Sequence, residues 1–393
     1  MTDEYGAHRC ELKLITPGRK FLERLSADSK KDRPKISQHP LKGPFNLKQG
    51  LHREEVVRSL IQGLSDHFDD LIMGIWGNTT LIRFNLSKDH PAYDRVAQME
   101  TMIQEGAYLI QLILGYLGER RALGKAIRLH QLVSHMACYL PKDEDHKHLA
   151  ERLQKGTKAY QPRLIAGATA RIIELLFKGI DTFRHSIVLE TLDNPIIQQR
   201  IGIIAALLKK GDLITSQLRC YSGDIELHKK NANLGTLLKR QYRRALERHS
   251  HIRIKLLITP CLPRIPIDQK NIEWVIAEMI ENTVRVMSRG GRLSLTLKPM
   301  YAEEPHQRCG VHLARDYVVL TIEDNGPGIA IDSHWRIFDP FYSHGHGHGT
   351  MKNTLGLGLS AANGIIRKHG GYIQVRSSQE QGGCFKVYLP VEE

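Results

Sequence analysis

The sequence predicts a multi-domain chain: all-α helical hairpins forming a four-helix-bundle dimerisation region, followed by an α+β sandwich. Two patterns predict it. Up to about residue 245, apolar residues recur every three or four positions, the spacing of amphipathic helices. From His251 the pattern changes to short β-branched runs separated by turns and two helical stretches. At 393 residues the chain exceeds one ordinary core, so several structural units are expected.

Residues 1–50 carry Pro17, Pro34, Pro40 and Pro44 and a basic run at Lys30, Lys31 and Arg33, and read as a flexible basic arm. Residues 51–120 read as a helical hairpin. Val57, Leu60, Leu64, Phe68, Leu71, Ile72 and Ile75 form one stripe, and Val96, Met99, Ile103, Ala107, Ile110 and Leu114 the other, about a turn at Lys88–Pro91. Residues 121–165 read as a helical connector without a usable motif. Residues 166–245 read as a second hairpin, with stripes at Ile172, Leu176, Ile180, Phe183 and Ile187 and at Ile201, Ile204, Leu208 and Leu218. The endings EGAYLIQLILGYLGE (105–119) and KGDLITSQLRCYSGD (210–224) resemble each other. If Phe68 pairs with Phe183 and Gly118 with Gly223, the second copy is ten residues shorter. Exposed apolar stripes must be buried, and pairing two chains in a homodimer is the simplest way. Residues 250–393 hold the strand candidates IRIKLLI, RLSLTLK, YVVLTIED, YIQVRSS and CFKVYLP, with helices expected at 271–287 and 359–368.

Lys and Arg total 56 against 42 Asp and Glu, a net charge of +14. Such a balance admits nucleic acid or anionic membrane as a partner. No zinc-finger, helix-turn-helix or RNA-binding signature accompanies it, so it reads as a basic solvated surface with no stable nucleic-acid partner. The six cysteines are far apart and form no C-x-x-C pair, as expected of reduced thiols in a cytoplasmic protein. No segment approaches the roughly 18 to 20 apolar residues of a membrane span, and MTDEYGAHRC lacks a signal peptide's apolar run.

Four motifs carry the chemistry. In Glu278-Met-Ile-Glu-Asn282, the i, i+4 spacing puts a carboxylate and an amide on one helix face, an oxygen set suited to hydrated magnesium. Asp324-Asn-Gly326-Pro-Gly328 follows a strand, where the carboxylate can accept from an exocyclic amine and the glycines admit close backbone approach. Phe338-Asp339-Pro340-Phe341 is the third. In the fourth, Gly356, Leu357 and Gly358 lead into a helix whose N-terminal N–H groups suit phosphate oxygens. The loop between the last two holds His344, His346 and His348, read as a flexible polar lid with metal binding as the lesser alternative.

In this order, with His369-Gly370-Gly371 after them, the motifs resemble the N, G1, F and G2 boxes of the histidine-kinase ATPase domain. That domain belongs to the larger family that includes gyrase, Hsp90 and MutL ATPases. The resemblance covers roughly residues 250–393 and implies ATP and Mg2+ as ligands. It implies that Asn282 holds magnesium, Arg285 touches phosphate and Asp324 reads adenine. Gly326, Gly328, Gly356, Leu357 and Gly358 would line the nucleotide. Leu355 stands where the family commonly has Ser or Thr.

The first hairpin resembles the dimerisation and phosphotransfer helices of nitrogen-regulation and hybrid-type kinases. Where that family reads A-H-D-F-N-N-L-L, this chain reads Ser65-Asp66-His67-Phe68-Asp69-Asp70-Leu71-Ile72. Asp66 thus occupies the acceptor place and His67 is rotated from it by about 100° of helix. In the second hairpin Asp181 falls at that place, with His185 beyond it. The resemblance implies a sensor histidine kinase of a two-component phosphorelay, with His67 as acceptor and a response regulator receiver domain in a separate chain. The alternative is a degenerate ATP-binding scaffold or slow ATPase, with Glu278 as general base on water. A gyrase- or MutL-like DNA-acting ATPase is a third reading, weakened because no transducer domain follows.

Overall fold

The computed structural model describes residues 44–118, 151–152, 155, 161–287, 289–300, 316–330, 333–334, 336–342, 355–377 and 382–392. The expected arm (1–43) and most of the connector (121–165) lie outside them, as does the histidine-rich stretch with His344, His346 and His348.

Four long helices come first. Helix α1 (Pro44–Phe84) starts inside the stretch read as arm, at a proline, whose fixed φ and missing N–H suit a first turn. Helix α2 (Ala92–Gly118) returns beside it. Helices α3 (Pro162–Glu190) and α4 (Pro195–Ser222) form the second hairpin. Asn194 caps α4 by accepting from the Ile197 N–H, and Gly223 ends it in the left-handed region at φ +79°.

The hairpins pack on each other, α2 against α3 and α1 against α4, which closes a four-helix bundle. Leu60, Leu64, Phe68, Ile75, Met99, Ile103, Ile180 and Ile204 are buried in one continuous core. At its centre the Phe68 and Phe177 rings lie 5.9 Å apart, tilted by 47°. The apolar stripes assigned to a second chain are buried by the second hairpin of the same chain.

The second hairpin ends at Ser222, and the sandwich begins before residue 250. Strand β1 (Lys230–Ala232) pairs antiparallel with β3 (Ile265–Ile267). Helix α5 (Leu234–Arg248) buries Leu234, Leu237, Leu238 and Ala245 in the sandwich core, so it belongs there by packing. The main sheet has five strands, β2 (Ile252–Ile258), β4 (Gly291–Met300), β5 (Tyr317–Asp324), β6 (Tyr372–Ser377) and β7 (Gly383–Pro390), in the order β2-β4-β5-β7-β6. Only β2 and β4 run parallel. Leu293, Leu295 and Leu297 of β4 and Val318, Leu320 and Ile322 of β5 alternate toward the helices, as a period of two requires. The helical layer is α5, α6 (Gln269–Arg285) and α7 (Gly358–Lys368).

The sandwich seats on the bundle at two places. Helix α7 packs along α4, where Gly364 lies so close to the Cys220 carbonyl that a Cβ would collide with it. The turn after α6 and β5, at Asp339-Pro340-Phe341, meets α1. The Phe341 ring covers Gly63, the Ser59 hydroxyl donates to the Pro340 carbonyl at 3.5 Å, and His52 Nε2 lies 3.6 Å from Asp339. Burial in this contact pushes the Asp339 carboxyl up to about 7 against the pull of Arg336, with Glu55 adding to the rise. Among the described residues no helix is long and apolar enough to cross a membrane.

Two outcomes follow from this packing. Phe177→Ala empties the bundle centre and should cost about 3 to 5 kcal/mol, read from the midpoint of urea unfolding. A folded-state carboxyl held at about 7 makes stability fall as pH rises from the unfolded value of 3.8 through 7. Asp339→Asn cannot ionise, so its Tm should gain on the wild type between about pH 4 and pH 7; parallel curves would contradict the buried contact.

Candidate functional site

Helix α6 is the floor of the site. Asp268 starts it by accepting from the Asn271 N–H at 3.1 Å, and the helix then presents Glu278, Asn282 and Arg285 in sequence along one face. The Asn282 amide donates to Glu278 Oε1 at 3.2 Å, and Arg285 donates to Asn282 Oδ1 at 3.0 Å. Burial raises the Glu278 carboxyl above its usual value, opposed by Arg285 and by the Asn282 hydrogen bond. Glu278 sits against the first residue of α7: a Cβ on Gly358 would overlap its carboxylate. A glycine there lets the two approach, and it sets a carboxylate beside a helix N-terminus, where anions are favoured.

Asp324 ends β5 at the other end of α6. Its Oδ1 accepts from the Gly326 N–H at 2.8 Å and from the Gly383 N–H at 3.2 Å. Burial nevertheless raises its pKa, with those two bonds acting to lower it. The turn beyond it lies over the end of α6, since a Cβ on Gly326 would come within 3.3 Å of Met287 and 3.5 Å of Val286. Gly328 is held at φ +73° and Gly356 at φ +66°, conformations that side chains other than glycine rarely adopt. Two glycine turns and the start of α7 are therefore gathered above one helix, with two half-buried carboxyls and an amide between them. Leu357 is not a lining residue open to a ligand: it is buried in the bundle core.

His369 of the closing motif has a structural task. Its Nε2 accepts from the Asp268 N–H at 3.0 Å and its Nδ1 lies 2.8 Å from the Ile365 carbonyl, which ties the end of α7 to the start of α6. Burial keeps it below the usual histidine value. No metal-binding group of three His, Cys, Asp or Glu occurs among the described residues.

On α1, His67 is half-buried and stacks on the Phe341 ring, with centroids 5.6 Å apart and planes at 28°. Burial lowers its pKa, Lys210 lowers it further, and Asp66 and Asp70 oppose the shift. Asp66 is exposed and accepts from the Gln62 amide at 2.8 Å, so it does not hold the His67 ring in the way expected of an orienting carboxylate. Asp69 accepts from the Ser65 hydroxyl at 3.3 Å, and burial raises its pKa. His185 stands exposed on α3, its Nδ1 2.8 Å from the Asp181 carbonyl and 3.3 Å from that carboxylate. Phe341 is the functional residue whose role the sequence did not reveal. Its motif was legible, but its partner on α1 is 274 positions away.

Residues 267–393 match the family described as histidine kinase-, DNA gyrase B- and HSP90-like ATPase. The chain is 39% identical over 130 residues to the alginate biosynthesis sensor protein KinB of Pseudomonas aeruginosa, covering 33% of this chain and 19% of that protein. It is 29% identical over 238 residues to the adaptive-response sensory kinase SasA of Rippkaea orientalis, covering 58% of this chain and 54% of that one. Among solved structures, histidine kinase ThkA in complex with response regulator protein TrrA is 21% identical, with a TM-score of 0.38, over 64% of this chain and 66% of that one. The chain thus matches from 19% to 54% of the length of these two curated relatives. Homology and the gathered glycine turns agree: the C-terminal third of this chain is a histidine kinase-, DNA gyrase B- and HSP90-like ATPase domain.

Proposed function

We propose that the protein is an ATP-dependent histidine kinase of a two-component phosphorelay, which phosphorylates its own His67 and passes the phosphoryl group to a response regulator receiver domain in a separate chain. The observation that carries this reading is the seat of Phe341 on His67. The edge of the ATP-binding domain is docked on the one imidazole that lies beside the acceptor place. The names of the relatives, a sensor protein and a sensory kinase, support it.

The residues take the following roles. Asp324 accepts from the adenine amine, and its own bonds from Gly326 and Gly383 hold the carboxylate in place for that contact. Gly326 and Gly328 let the backbone lie close to the nucleotide, and Gly356 with the N-terminus at Gly358 receives phosphate oxygens. Arg285 reaches phosphate from the end of α6. Asn282, with Glu278 beside it, forms an oxygen donor set that fits magnesium. Magnesium held there would neutralise charge on the transferring phosphoryl group. His67 is the nucleophile. Its lowered pKa keeps the ring neutral and its lone pair available near neutrality. The bond from the γ-phosphorus to the β,γ-bridging oxygen breaks as the P–N bond forms, and ADP leaves.

A second reading is favoured by Glu278. A half-buried carboxyl of raised pKa on α6, against the start of α7, suits a general base on water, and Asp66 rather than histidine stands at the acceptor place. Under that reading the protein is a slow ATPase or an ATP-binding scaffold that modulates another kinase.

Incubation with γ-labelled ATP and magnesium separates the two. The kinase reading expects acid-labile, base-stable label in the wild type and none above background in His67→Ala. Asp324→Ala should weaken nucleotide binding about 10- to 100-fold, as expected for a lost buried acceptor worth roughly 1 to 3 kcal/mol. Release of inorganic phosphate without protein label, abolished in Glu278→Gln, would reject the kinase and establish hydrolysis.

A further inference from the structure

The two hairpins meet through reciprocal contacts. A Cβ on Gly74 of α1 would lie 2.9 Å from Leu207 of α4, and a Cβ on Gly179 of α3 would lie 2.9 Å from Met102 of α2. Gly74 and Gly179 are 105 positions apart, and so are Met102 and Leu207. Each contact therefore becomes the other when every residue is exchanged for its counterpart 105 positions away. That exchange defines an isologous, two-fold interface, which two identical subunits ordinarily make.

The same interval runs through both helices. It relates Gly106 to Gly211 and Gly118 to Gly223 in sequence; the side chains over the first two, Leu176 and Phe177, both belong to α3, so this pair of contacts is not exchanged. Buried core residues follow it too, Ile75 with Ile180 and Ile103 with Leu208. No gap is needed. This register differs from the pairing of Phe68 with Phe183 and the ten-residue shortening expected from sequence, since in it Phe68 falls opposite Ile173. Amphipathic helices share a period, so sequence periodicity alone admits several registers; glycine notches facing long side chains admit one.

We propose that the two hairpins are diverged copies of one unit, and that the bundle they build replaces a second subunit, so that the protein works as a monomer whose single ATP-binding domain acts on its own chain. The interval sets the buried Ile172 at the counterpart of His67, which leaves the nucleophile to the first copy. The second copy supplies the platform. Gly364 of α7 closes on the α4 backbone at Cys220, and the Arg163 guanidinium of α3 lies 5.5 Å over the neighbouring Tyr221 ring. The ATP-binding domain thus rests on the second copy through α7 and reaches the first through Phe341. The apolar stripes that would recruit another chain are already covered: Leu60, Leu64, Ile75 and Ile103 are each 0% exposed.

Transfer within the chain rests on the kinase reading above; the monomeric bundle does not. Size-exclusion chromatography with light scattering on the full chain, over a hundredfold range of concentration, should return the mass of one chain, 44.7 kDa. A two-chain mass overturns the proposal whether or not the protein is labelled by ATP. Mixing His67→Ala with Asp324→Ala chains should give no more label than the two give separately. Label on the Asp324→Ala chain, transferred from its partner, also overturns it. Absence of label in the wild type rejects the kinase and leaves the mass to decide the monomer.

Discussion

Burial of the apolar stripes of α1 and α2 against those of α3 and α4 is the constraint on which the other features rest. Each hairpin alone would leave a row of Leu, Ile and Phe side chains in water, and removing such surface from water contributes roughly 25 cal/mol for each Å². Once the two are joined, the end of α4 is fixed beside the middle of α1. That end is the seat of α7, and α7 opens at the glycines of the candidate phosphate site. The placement of the candidate site relative to His67 thus rests on two contacts, α7 on α4 and the Phe341 turn on α1.

Close approach is achieved with glycine at each critical junction. Gly63 receives the Phe341 ring, Gly358 admits the Glu278 carboxylate, and Gly364 lets α7 lie on the α4 backbone. A glycine inside a helix costs roughly 0.5 to 1 kcal/mol relative to alanine. Three of them at contacts between elements show where proximity outweighs that cost. Glu278 and Asp324 are alike in being half-buried carboxyls whose pKa values are raised by desolvation, and in both a hydrogen-bond donor or a cation beside the carboxylate opposes the rise.

His67 has two aspects that belong together. Burial and Lys210 favour the neutral ring that a nucleophile needs, and the burial comes in part from the ring of Phe341, which also covers it. The docked turn thus accounts for part of the shift at His67, and the raised carboxyl of Asp339 lies in that same turn.

Much was legible from residues alone. Helical period marked both hairpins, alternation marked the five long strands, and the ordered motifs located Glu278, Asn282, Asp324 and the glycine turns, because these signals are local and repeat within a few residues. The sequence also showed Asp66 at the acceptor place and His67 one step away. It did not reveal that α5 belongs to the sandwich, since an amphipathic helix does not name the core it joins. Nor did it disclose Phe341 on His67, or the register of 105 positions between hairpins. Apolar stripes specify that a face must be buried and leave open which face buries it; only the packed chain decided that the second hairpin covers the stripes of the first.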